Sequence, residues 1–213
     1  MPDPDRSRRI SVPGHGAVRV APDIADVRLG VMTVRPTAGE ARAAAATTME
    51  AILAALRAAG IAGRDLRTTL LSLDAVRDYS DGAQRITGYQ LANTVEATIR
   101  TIDRAGFVVD SALGAGATSL DGLTFRLDDP AEALAAARRL AVADARQRAE
   151  TLASEAGVAL GSVVGIVEGG GGASGPPRPV ELFAAKAGPA TSTPVEAGTS
   201  ELVVELIVEF AID

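Results

Sequence analysis

Between residues 9 and 34 the hydrophobic pattern has a period of two. Ala25, Val27, Leu29 and Val31 fall on one side, and Asp26, Arg28 and Met32 on the other. That alternation predicts a half-buried strand. Ile10 to Val20 reads as a strand before it, interrupted by Pro13 and by Gly14-His15-Gly16, and Pro22-Asp23 reads as the hairpin connection between the two. From Thr37 to Ala59 the period changes to that of a helix. Thr37 and Glu40 make a T-x-x-E capping box, Met49, Ile52, Leu53 and Leu56 form the apolar stripe, and Gly60 supplies the terminating glycine. The alanine run 43–46 predicts close packing on a sheet.

Leu66–Tyr79 and Arg85–Arg100 are long strand candidates around an Asp81-Gly82 hairpin turn, with Tyr89, Leu91, Val95 and Ile99 sharing one face. A short helix is expected over Ile102–Leu113, with Phe107, Val109 and Leu113 in the core. Leu123, Phe125 and Leu127 alternate as a further strand. Asp129-Pro130-Ala131-Glu132 then opens a helix that runs to about Ala156, before Gly157. Ser162–Glu168 is a short strand. Thr199–Ile212 is a long one, with Leu202, Val204, Leu206, Val208, Phe210 and Ile212 on one face. Residues 169–197 are too rich in Gly, Pro, Ser and Thr for a packed element. The order ββαββαβαββ predicts an α+β fold with a mostly antiparallel or mixed sheet, long hairpins and about three helices. Residues 1–8 read as a polar leader. Residues 9–213 read as one domain with a flexible insertion at about 169–197.

Composition narrows the chemistry. Of 213 residues, 47% are hydrophobic but only 3% aromatic, so the core must be built from Ala, Val, Leu and Ile. A net charge of −6 argues against nucleic acid, which calls for a basic face. The absence of cysteine removes disulfides, thiolate nucleophiles and Cys-based metal sites. No run approaches the roughly 20 apolar residues of a membrane span. The polar first residues carry no signal-like apolar stretch, which points to the cytoplasm unless an export signal has been removed.

His15 is the single histidine. A general base needs a substrate-facing partner, and a metal needs three or four ligands. Neither set is visible around it, so a polar bulge or surface position is expected, with Gly14 and Gly16 permitting a bend in the strand. Asp23 and Asp26 read as turn and surface residues. Gly169–Gly172 lacks the Lys-Ser/Thr of a phosphate loop and reads as linker. The "GAGATS" of residues 114–119 leaves a helix instead of entering one, which disfavours a dinucleotide site. Asp78, Ser80 and Asp81 lack the spacing of a calcium loop. No catalytic, metal or cofactor residue is assigned. Tyr79, Tyr89 and Phe183 are candidate interface residues, with core packing an equal alternative for the tyrosines.

Four segments together carry a resemblance. They are "ISVPGHGAVRVAPDIADVRLGV", "AGIAGRDLRTTLLSL", "ITGYQLANTVEATIRTID" and "ARRLAVADARQRAETLASEAGVALGSV". In order and spacing they resemble the SIMPL-domain family over about Ile10–Ile212. The resemblance implies a non-enzymatic bacterial protein that self-assembles into a homo-oligomer, in the periplasm or envelope, with a part in oxidative-stress defence. It supplies no catalytic residue to carry over. The alternative is an adaptor that holds a protein partner through the 169–197 arm, whose "SGPPRPVELF" has Pro-rich recognition character.

Overall fold

A computed structural model describes residues 8–79, 84–169, 178–180 and 192–213, with the backbone alone at 178–180. It is an α+β fold with the predicted element order, to which a three-residue strand is added. The elements are β1 (Arg9–Val20), β2 (Ile24–Arg35), α1 (Ala38–Ala58), β3 (Leu66–Asp78), β4 (Arg85–Ile99), α2 (Ala105–Gly114), β5 (Ser119–Arg126), α3 (Ala131–Ala156), β6 (Leu160–Glu168), β7 (Arg178–Val180) and β8 (Thr199–Ile212). Every strand pair is antiparallel.

The described residues divide into two compact units. One is drawn from Met1–Ala21, Asp128–Phe183 and Gly198–Asp213, the other from Pro22–Leu127 and Ala184–Ala197. The expected β1–β2 hairpin is therefore not formed. Pro22-Asp23 is the point where the chain leaves the first unit. β1 pairs along its whole length with β8, Arg9 opposite Ala211 and Val20 opposite Ser200. A turn signal fixes the local backbone but says nothing about which distant strand completes the ladder.

In the first unit the sheet order is β1-β8-β6, with β7 also on β8. β7 thus places a short strand inside the stretch expected to hold no packed element. Residues 170–177 and 181–191 of that stretch lie outside the described residues. Val204, Leu206, Val208 and Phe210 of β8 are buried, as their period predicts. What buries them is α3, which presents Ala137, Ala141, Ala145, Ala149 and Ala153, one residue per turn. Its carboxyl end stops at Gly157, where φ is +68°. At its start, Asp129 Oδ1 accepts the Ala131 N–H at 2.9 Å. The guanidinium of Arg146 lies 5.7 Å from the centre of the Phe210 ring, over one of the few aromatic side chains in the molecule.

The glycines of β1 belong to this packing. The β1–β8 register runs without a break, so the expected bend or bulge at Gly14-His15-Gly16 is absent. A Cβ on Gly14 would lie 2.8 Å from Ala145 Cβ and far inside contact of the Ala141 carbonyl oxygen. A Cβ on Gly16 would meet the Ala137 carbonyl oxygen and stand 2.6 Å from the Ala141 nitrogen. The alanine stripe therefore seats directly on strand backbone.

In the second unit the sheet order is β3-β4-β2-β5, and α1 and α2 cover one face. Ala25, Val27, Leu29 and Val31 of β2 and Leu91, Val95, Ala97 and Ile99 of β4 are buried beneath them. Both halves of the Thr37–Glu40 capping box are made, and Gly60 has a φ of +96°. From the 43–46 run only Ala45 is buried, joined by Ala41 one turn earlier. α2 corrects its predicted core. Ala105, Val108, Val109 and Ala112 are buried, whereas Phe107 and Leu113 are exposed. The i, i+3, i+4, i+7 face is made of small residues here, and bulk misleads. The Asp81-Gly82 turn and the leader to Ser7 lie outside the described residues.

The contact between α3 and β1 leaves no room for a larger side chain from the helix side. Ala141→Leu is expected to lower unfolding stability by about 2 kcal/mol or more, as overpacked cores do. A shift in the urea midpoint measures it, and an unchanged midpoint would show that the helix can move away.

Candidate functional site

His15 sits in the middle of β1 with its ring exposed and its Nδ1 3.8 Å from Glu205 Oε1 on β8. Its backbone N–H donates to Asp144 Oδ2 on α3 at 2.8 Å, and Asp144 Oδ1 accepts from Arg148 Nε at 3.0 Å. The His15 amide hydrogen bond, with the Arg148 side chain, holds the Asp144 carboxyl below its ordinary value. The cluster has a structural effect. β1 is an edge strand, and His15 N–H points away from β8. Pro13, two residues earlier on the same side, has no N–H. The middle of the outer edge of β1 therefore offers one missing donor and one already taken, which disfavours addition of another strand there.

Asp26 belongs to the other unit, on the sheet face away from α1 and α2. Arg126 Nε of β5 and Thr98 Oγ1 of β4 both donate to its carboxylate. Burial pushes its pKa up, but the hydrogen bonds from Arg126 and Thr98, with the charges of Arg126 and Arg67, outweigh burial and hold it below the usual value. Beside it, Arg67 Nη2 of β3 donates to Glu96 Oε1 of β4 at 2.6 Å. Asp23 donates its N–H to the Arg126 carbonyl at 3.2 Å. Asp26 is thus a strand-to-strand tie, and its bonds lie within its own unit, as those of His15 lie within the other. Among the described residues no three His, Asp or Glu side chains converge on a point that could hold a metal ion.

Asp110 on α2 makes a tie that sequence reasoning missed. Its carboxylate accepts both the N–H and the hydroxyl of Thr193, and a side chain on Gly106, one turn earlier, would strike the Thr193 carbonyl. The end of the 169–197 segment is therefore fastened to α2.

Tyr79 is exposed and its hydroxyl accepts from Gln84 Nε2 at 3.3 Å. Tyr89 packs partly buried against the core under α1. Phe183 lies outside the described residues, as do Gly170–Gly172, Ser80 and Asp81.

The most unusual surface is the outer edge of β3. Leu70, Leu71 and Leu73 are 48%, 69% and 47% exposed on a strand that, among the described residues, is paired on one side alone. Leu71 and Leu73, with Ala38, Gly39 and Arg42 of α1 and Leu91 of β4, line a groove of about 420 Å³. On the opposite face Leu70 is joined by the exposed Met32 and Val34 of β2. The signal in the sequence is the run from Thr68 to Val76. It lies between two arginines and carries one charge, Asp74.

The family model described as SIMPL, protein of unknown function (DUF541), matches residues 10–210. The 26 kDa periplasmic immunogenic protein of Brucella melitensis is 33% identical over 215 aligned positions, covering 96% of this chain and 84% of that protein. The uncharacterized protein YggE of Escherichia coli is 28% identical over 153 positions, covering 72% of this chain and 62% of YggE. Its counterpart in Edwardsiella ictaluri is 27% identical over 154 positions, 72% of this chain and 64% of that protein. Nothing in these relatives supports the expectation of a cytoplasmic protein.

The Asp26 tie has a pH signature. Its folded carboxyl titrates below the unfolded value of about 3.9, so its stabilisation is fully present above that value and is lost as pH falls through the lower folded one. Asp26→Asn should be less stable than the wild type at pH 7, with the gap closing below about pH 4. Urea titrations at both pH values test this, and a gap independent of pH would contradict it.

Proposed function

Because the chain belongs to the SIMPL family, we propose that it is a non-enzymatic protein of the bacterial periplasm or envelope that works as a homo-oligomer. The observation that carries the reading is the β3 edge. A strand edge that no other strand among the described residues pairs over Leu70–Val76, flanked on both faces by exposed leucines, is costly for a protein that stays alone. Self-association satisfies both the backbone groups and the apolar surface. The contrast within the molecule strengthens the point, because β1 is closed to pairing by Pro13 and by Asp144 on His15, whereas β3 has neither device.

The non-enzymatic part is supported by the use made of the polar residues. His15 and Asp144 close a strand edge, and Asp26 ties three strands. Placement in the periplasm is supported by the name of the Brucella relative, a periplasmic immunogenic protein. A part in oxidative-stress defence is supported by the family resemblance alone.

Light scattering on the full chain at tens of micromolar should give a mass that is a multiple of 21.6 kDa. A strict monomer at that concentration would overturn the self-assembly reading.

A further inference from the structure

The ladder data locate the part of β3 that a partner could use. Its pairing with β4 shifts register between Thr68 and Leu70 and again between Val76 and Arg77, leaving Leu70–Val76 as a regular segment. The other open edges are poorer templates. β6 shifts register twice against β8, between Leu160 and Val163 and between Val163 and Gly165. β5 is broken between Leu120 and Gly122, where Gly122 has a φ of +147°. An edge that is regular, apolar and nearly uncharged calls for a strand of the same character.

We propose that the occupant is β3 of a second copy, paired antiparallel about a two-fold axis at Leu73. The proposal rests on the self-assembly reading above and deepens it. A two-fold contact is isologous, so one patch must complement itself. With Leu73 on the axis, Leu73 faces its own counterpart, Leu71 faces Ala75, Leu70 faces Val76 and Ser72 faces Asp74. Apolar side chains then meet apolar ones, and the single charge meets a hydroxyl. Directly opposed residues must share a face, and moving the axis one residue either way keeps that match but spoils the pairing. Centred on Ser72, Leu70 faces Asp74. Centred on Asp74, two carboxylates face each other. Charge and hydropathy therefore favour the Leu73 axis over both of its neighbours. Side by side, the two four-stranded sheets become one, and Leu73 of the second copy meets the Leu73 that lines the groove with Leu71, Ala38, Gly39 and Arg42.

The chain has no cysteine, so a single introduced thiol reports the register without background. Leu73→Cys in the full chain should give a disulfide-linked dimer under mild oxidation, because the two positions share the axis. Thr68→Cys should not, since its counterpart lies ten register positions away, about 30 Å along the strand. Leu71→Asp with Leu73→Asp should raise the dissociation midpoint in light scattering at least about tenfold, with the far-ultraviolet dichroism retained. A wild-type monomer overturns the self-assembly reading and this one together. A wild-type oligomer whose Leu73→Cys variant stays unlinked overturns the β3 register alone, as does equal linking of Thr68→Cys.

Discussion

The packing of α3 on β1 is the constraint from which the first unit follows. A helix with alanine at each turn buries little apolar area per residue, so it stabilises a sheet only by coming close. It comes close because Gly14 and Gly16 remove the two side chains that would stand in the way. Close seating puts Asp144 within reach of the His15 N–H, and that bond closes the edge of β1. The same seating covers Val204, Leu206, Val208 and Phe210 of β8. In a chain with 3% aromatic residues, proximity replaces bulk.

The second unit solves the same problem with larger aliphatic side chains. Ile52, Leu56 and Met49 of α1 pack with Val108 and Val109 of α2 over β2 and β4. Its polar face is tied across strands by Asp26, Arg126 and Thr98. Its sheet leaves β3 open, with leucines on both faces of a regular edge. The first unit blocks its β1 edge, whereas the second leaves the regular β3 edge available, and that difference carries the functional reading.

Much of the fold is legible in the sequence because it is written locally. The period-two runs of β2, β4 and β8, the capping box at Thr37 and the stop at Gly157 all depend on neighbours within a few residues. What is not legible is non-local. Pro22-Asp23 has the chemistry of a hairpin, but β1 finds its partner nearly the whole chain away, in β8. A glycine in a strand signals either a bulge or a close approach. Only the alanine spacing of α3 distinguishes these, and only once it is known to lie over β1. In α2, size pointed to Phe107 and Leu113, while the packed face is made of Ala105, Val108 and Ala112. The leucines of β3 are read correctly as strand. That they lie on an edge depends on the order of strands in the sheet, which no local pattern encodes. The resemblance to the family was legible for the opposite reason, since short motifs in a fixed order survive without any knowledge of pairing.

The central claim is that Gly14 and Gly16 flank His15 in order to seat α3 on the backbone of β1. Comparing the chemical denaturation of Gly16→Ala and His15→Ala tests it most directly. The account predicts a loss of about 2 kcal/mol or more for Gly16→Ala, from a methyl group driven into the backbone of α3, and a change within about 0.5 kcal/mol for the exposed His15 ring. Equal, small effects from both substitutions would contradict it.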